Sequence, residues 1–196
     1  MNSFSIWFIT GVEHITALKG YDHILFLFVL CGVYSFRQWR NLLVLVTAFT
    51  IGHSLTLALS VLNILKLNSS LVEFLIPVTI ILAAIYNLRN RNKLITANFN
   101  ANYWIALSFG LIHGLGFSNV LRSLLGTGNS LLSALFAFNL GLEAGKLIIL
   151  TGILVFSVVL TEFLKIKKNV FNVVLSIAVL GIALILFGQR LSDLLK

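Results

Sequence analysis

The sequence is short of the features that hold a small water-soluble domain together. Its 196 residues include one cysteine, Cys31, one proline, Pro77, and six carboxylate side chains. A single thiol excludes an intramolecular disulfide, and it argues against Cu(I) or an iron–sulfur cluster as a bound metal. Charged residues make up 10% of the chain, against about 25% in ordinary globular domains. That is too little charge to hydrate the surface of a globule of this size. The start, Met1-Asn2-Ser3-Phe4, has no basic n-region followed by a small-residue cleavage site, so no cleavable signal peptide is expected.

What is present is apolar. Hydrophobic residues account for 59% of the chain and the mean hydropathy is +1.02. The apolar runs are 21–36, 41–63, 71–89, 102–124, 132–162 and 170–189. About 20 such residues cross a bilayer as a helix, and an open strand would leave its backbone unsatisfied in lipid. The runs also lack the alternation of a transmembrane barrel. The expected fold is therefore all-α, a polytopic transmembrane bundle of about six helices forming one domain over 1–196. Segment 4–17 mixes Phe4, Ile6, Trp7 and Phe8 with Glu13, His14 and Thr16, and reads as an amphipathic or re-entrant element ahead of the first span. Pro77 predicts a local kink in the third run. Run 132–162 exceeds what a bilayer needs, which predicts a break near Gly141 or Gly145.

The net charge of +8 would suggest nucleic acid in a soluble protein. Here the basic residues sit in clusters between apolar runs, and no nucleic-acid partner is expected. Arg37 and Arg40, then Arg89, Arg91 and Lys93, then Lys165, Lys167 and Lys168 occupy alternate connectors on one side. The positive-inside rule makes that side cytoplasmic and both termini extracytoplasmic. Lys19, Lys66, Arg122, Arg190 and Lys196 are spread over the other side, with Glu73 and Asp193 partly offsetting them. Glu73 reads as solvated, as do Asn87 and the stretch 89–93.

All four histidines, His14, His23, His53 and His113, lie in or beside apolar runs. An ionisable group in hydrocarbon costs about 2.5 kcal/mol or more, so such groups face a cavity or one another. At about 1.5 Å per residue, His53, His113 and Glu143 fall near the membrane midplane or just outside it. Asp22 and His23 enter at the outer end of the first run. Helix phase puts Asn139, Glu143 and Lys146 on one face of the fifth run, and Thr50, His53 and Ser54 on one face of the second. Imidazole with carboxylate suits a first-row divalent metal such as nickel, cobalt or zinc. The bland reading keeps each histidine as a hydrogen-bonded structural residue and makes Glu143 and Lys146 a self-neutralising pair. Asp22 next to His23 either shares an ion at a helix end or orients a histidine.

Five segments then carry a resemblance: Gly11-Val-Glu-His14-Ile; Gly20-Tyr-Asp22-His23-Ile-Leu-Phe26; Thr47-Ala-Phe-Thr50-Ile-Gly-His53-Ser54-Leu-Thr56-Leu; Phe109-Gly-Leu-Ile-His113-Gly-Leu-Gly116-Phe; and Phe138-Asn139-Leu-Gly141-Leu-Glu143. In this order, over most of the chain, they resemble the HupE/UreJ family of bacterial membrane proteins. The spacing of His14 from Asp22, and the single His113-Gly114 in place of dense His-Gly repeats, resemble its second, more distant branch. The resemblance implies a multi-pass protein of the bacterial inner membrane that supplies nickel or a related metal to hydrogenase and urease, with metalloenzyme maturation proteins as partners beside the lipid bilayer. Its motif residues here are His14, Asp22, His23, His53, His113 and Glu143. The leading expectation is a permease or accessory protein for a divalent transition metal ion with an outward-facing His/carboxylate site. The alternative is an intramembrane hydrolase or transferase with His-ligated zinc, in which Asp22 or Glu143 is the general base.

Overall fold

The computed structural model describes residues 3–17, 20–32, 34, 38–90, 99–116, 121 and 131–195. Among them all regular structure is helical: α1 (Ser3–Thr16), α2 (Tyr21–Gly32), α3 (Trp39–Val61), α4 (Ser69–Arg89), α5 (Phe99–Gly116), α6 (Leu131–Val158) and α7 (Lys168–Leu194). A π-helical turn, Val159–Phe163, extends α6. Among the described residues four helices are long and apolar enough to cross a membrane: α3, α4, α6 with its π turn, and α7. Outward-facing side chains such as Ile148 and Ile185, 61% and 63% exposed, make a surface suited to lipid and not to water.

The direction of each helix follows from its contacts. Ser54 of α3 meets Asn139 of α6, and Thr50 meets Lys146, so these two run antiparallel. Phe74 of α4 packs on Phe187 of α7, and Glu73 pairs with Arg190, which makes a second antiparallel couple. One end of the bundle, the terminal face, holds Ser3 and Leu194. The opposite end, the basic face, holds Arg40, Arg89, Lys165, Lys167 and Lys168. Arg37, Arg91, Lys93, Lys19, Arg122 and Lys196 lie outside the described residues, as does the side chain of Cys31.

One expectation about length changes. The fifth run has no break at Gly141 or Gly145, because α6 is continuous through both. Those glycines serve close packing instead: a Cβ on Gly141 would collide with the Phe8 carbonyl of α1, and one on Gly11 with the Phe138 carbonyl of α6. The run stays helical through Val158 and ends in the π turn. The described part of α5 reaches Gly116, and residues 117–120 and 122–124 of the expected fourth span lie outside the described residues.

The N-terminal segment proves to be part of the bundle. Gly11 lies against Phe138–Leu142 and Ile15 against Gly145, so α1 runs alongside α6 in the same direction. Tyr21 to His23 lie beside Glu73 to Pro77, and the Asn87 amide donates to the Val29 carbonyl, so α2 runs in the same direction as α4. Both halves thus head from the terminal face to the basic face. They form one span interrupted between Thr16 and Tyr21. Gly20 allows the interruption: a Cβ there would stand 2.5 Å from the His14 carbonyl. The segment enters the bundle from the terminal face and does not turn back, because α2 completes the crossing. Asn87 is buried at this junction, which corrects its reading as a solvated residue.

Pro77 sits inside α4, where its missing N–H leaves the Glu73 carbonyl without its usual intrahelical donor. Asn68 caps the same helix, its Oδ1 accepting from Ser70 N at 2.9 Å.

Candidate metal centre

The interruption between α1 and α2 has His14 just before it and the pair Asp22-His23 just after it. Crossing glycines do the same work for the other two histidines. A Cβ on Gly110 would collide with the Phe49 carbonyl, and one on Gly52 with the Leu107 carbonyl, so α3 and α5 touch backbone to backbone. His53 and His113 follow these glycines within one turn and are drawn into one layer. His23 stands at the centre, its ring centroid 5.4 Å from His14, 5.5 Å from His53 and 5.1 Å from His113. Four separate helices each contribute one imidazole.

Asp22, His23 and His113 offer donor atoms that all lie within 4.8 Å of one another. Ligands about 2.0–2.2 Å from one ion stand at most about 4.4 Å apart. An adjustment of a few tenths of an ångström would therefore close this group on a metal. Among the described residues, no other trio of histidines, cysteines and carboxylates comes as close.

Hydrogen bonds fix which nitrogens are available. Asp22 Oδ1 accepts from His23 N at 2.9 Å and lies 3.0 Å from His23 Nδ1. A carboxylate can only accept, so Nδ1 carries the proton and Nε2 keeps its lone pair. Thr79 works the same way on His113. Its hydroxyl donates to the Ile76 carbonyl at 2.7 Å, so its oxygen accepts from His113 Nε2 at 3.1 Å. The lone pair of His113 is then on Nδ1. Among the described residues His23 Nε2 and His113 Nδ1 are both buried with no hydrogen-bond partner, and both nitrogens of the fully buried His53 are in the same position. A buried polar atom left in this way costs about 1–3 kcal/mol. Lone pairs held in place at that cost fit a metal ion; Thr79 and the Oδ1 of Asp22 are the partners that ligating histidines usually have, and Asp22 keeps its second carboxylate oxygen for an ion.

Glu143 stands apart from this trio. Its Oε1 accepts from Thr47 at 3.3 Å, and its Oε2 is buried with no hydrogen-bond partner among the described residues. Lys146 is fully buried and donates from Nζ to Thr50 at 3.0 Å, with the Phe49 ring centroid 5.0 Å away. Among the described residues Glu143 and Lys146 form no ion pair with each other. With Asn139 bonded to Ser54 at 2.6 Å, the expected polar face of α6 is one seam, and its partner is the expected polar face of α3.

A cavity of about 150 Å³ leads from the terminal face to the trio, with Asp22, His23, Glu73, Pro77, His113 and Arg190 in its walls. Glu73 is not simply solvated, since it pairs with Arg190 at 2.7 Å at the rim. Sequence reasoning missed this pair and Thr79. A threonine in an apolar span was the only signal for Thr79, and a weak one. Most such hydroxyls merely bond their own helix, as Thr10, Thr16 and Thr151 do.

A family model described as HupE / UreJ protein matches residues 1–190. No curated protein and no solved structure matches the chain.

Proposed function

Because the chain belongs to the HupE/UreJ family, a family associated with nickel or cobalt transport and with accessory roles for urease and hydrogenase, we propose that it is a membrane permease for a divalent transition metal ion. The observation that carries the reading is the pair of pre-oriented imidazole lone pairs, His23 Nε2 and His113 Nδ1, beside the Asp22 carboxylate at the floor of a cavity. His14 and His53 flank these ligands and would take up or relay the ion. Glu143, on the α3/α6 seam, belongs to the path and not to the first binding step. Imidazole and carboxylate without thiolate suit nickel, cobalt or zinc. The basic face would be cytoplasmic, in the inner membrane of a bacterium, with both chain ends outside and the cavity open to the extracytoplasmic side.

The test is a titration of purified protein in lipid nanodiscs with Ni²⁺, Co²⁺ and Zn²⁺, followed by uptake of the same ions into proteoliposomes. One ion should bind per chain, and His23→Ala and His113→Ala should each weaken binding by about 100-fold or more. Binding without uptake would favour an accessory role. Binding that neither substitution weakens would remove the site from these residues.

A further inference from the structure

The two glycine crossings are alike in more than their geometry. Ala48-Phe49-Thr50-Ile51-Gly52 of α3 recurs in α6 as Ala137-Phe138-Asn139-Leu140-Gly141, and Gly11-Val12-Glu13-His14 of α1 recurs in α5 as Gly110-Leu111-Ile112-His113. In space α1 crosses α6 through Gly11 and Gly141, while α5 crosses α3 through Gly110 and Gly52. The first pair runs from the terminal face to the basic face and the second runs the opposite way. The helices α1, α3 and α4 therefore correspond in chain order to α5, α6 and α7, each with its direction reversed, and α4 lies antiparallel to its counterpart α7. The polar seam obeys the same exchange to within one helical turn. Swapping the contact of Ser54 with Asn139 gives Glu143 with Thr50, and the observed partners are Thr47 for Glu143 and Thr50 for Lys146. This is an inverted-topology repeat, an arrangement in which substrate sites lie at the interface of the halves near the middle of the membrane, often at an interrupted helix.

Alternating access to a site between two such halves needs an opening toward each face, and a second cavity is present. It measures about 320 Å³ and lies toward the basic face, with Phe26, Val29, Ala83, Tyr86, Asn87 and Phe109 in its walls. It shares α2, α4 and α5 with the cavity at the terminal face, which α7 also borders through Leu186 and Arg190, so the two cavities are successive along one path and are not exchanged by the repeat. One turn of α2 separates the two. Phe26 stacks on Phe49 at 4.9 Å, meets Phe109 at 5.4 Å and stands 5.5 Å from the His113 ring. Its side chain is 1% exposed, so the aromatic cluster seals the metal centre from the second cavity.

We infer that the cavity toward the basic face is the second vestibule of the metal path, and that Phe26, Phe49 and Phe109 are the barrier between it and the mouth. The inference rests on the permease reading above. Its walls offer an ion the Asn87 amide and two tyrosine hydroxyls, with no imidazole or carboxylate. An ion that passes the barrier meets only weak ligands there and is released. A dry aromatic constriction of this kind blocks a hydrated ion until it opens.

Single cysteines placed in a Cys31→Ser background test this. Leu186→Cys reports on the mouth, and Ala83→Cys and Ile105→Cys report on the second vestibule from two different helices. Each is treated with a charged, membrane-impermeant thiol reagent in right-side-out and in inverted vesicles, with and without Ni²⁺, Co²⁺ or Zn²⁺. The mouth thiol should react from one side and the vestibule thiols from the other, with the metal shifting the two rates in opposite senses. Phe26→Ala should raise the rate at the vestibule thiols by metal-centre-side reagent about tenfold. If Ala83→Cys and Ile105→Cys both react only with an apolar, membrane-permeant maleimide, the cavity faces lipid and the inference fails. Metal uptake by the same vesicles separates this from the function: uptake with lipid-facing thiols overturns the vestibule alone, whereas two-sided reactivity without uptake of any of the three ions overturns the permease reading and leaves the vestibule standing.

Discussion

At the scale of single residues, the centre depends on where two protons sit. Thr79 is 34 positions from His113 and donates its only hydrogen to its own helix, so its oxygen is free to accept from the imidazole. Thr79→Val keeps the shape, removes the acceptor and releases the ring to the other tautomer. Metal affinity should fall by about 10–100-fold in a calorimetric titration, while Thr79→Ser should stay close to wild type. The same logic covers the unpartnered nitrogens. Loading the protein with Ni²⁺, Co²⁺ or Zn²⁺ at about 100 times the dissociation constant should add about 2.7 kcal/mol of stability, read as a rise in melting temperature that His113→Ala abolishes. Unchanged melting with every metal would mean that the lone pairs serve something other than a cation.

Helices meet here through missing side chains. At Gly110 the nearest obstacle to a Cβ is the Phe49 carbonyl, and at Gly11 it is the Phe138 carbonyl; neither backbone atom can move without moving its helix. Gly110→Val or Gly11→Val should therefore cost about 1–3 kcal/mol or more and lower the melting temperature, with metal binding lost because the imidazole layer separates. Gly181 lies on α7, and a methyl group added there would meet nothing within 4 Å, so Gly181→Ala should be neutral or stabilise by up to about 1 kcal/mol. If both kinds of substitution melted alike, the crossings would not hold the bundle. The interruption between α1 and α2 is also an element-scale device. It stops the chain in mid-bundle, so that Asp22 stands in the first turn of α2, where a carboxylate is favoured, and caps the His23 amide.

For the whole molecule, the charges at the two ends predict its placement in the membrane. Arg40, Arg89, Lys165, Lys167 and Lys168 share one face, so a cysteine substituted at Lys165 should react with an impermeant maleimide only in inverted vesicles, and one at Leu195 only in right-side-out vesicles. The reverse pattern would invert the proposed direction of transport. The family and the helical membrane architecture were legible in advance, because hydropathy is a sum over neighbouring residues and five short motifs kept their order. The four histidines were legible as a group, since buried imidazoles in apolar runs need a shared destination. The role of Glu143 was less so: its helix face was read correctly, but the seam it joins with Thr47 lies beside the Asp22–His23–His113 trio and not within it.

The sequence by itself determined a lipid-exposed all-helical chain, its alternating basic connectors and a thiolate-free set of imidazole and carboxylate groups within apolar runs, each of which depends only on which residues occur and on their local spacing. Only the tertiary structure decided that α1 and α2 are two halves of one crossing, that glycines at 141 and 145 pack and do not break α6, and that His23 Nε2 and His113 Nδ1 are the open lone pairs. Those features depend on how far each helix is rotated and where it crosses its partner, which is set by contacts between residues distant in the chain. The polar residues that opened the question in the sequence are ordered in space by backbone carbonyls against glycines and by the hydroxyl of Thr79.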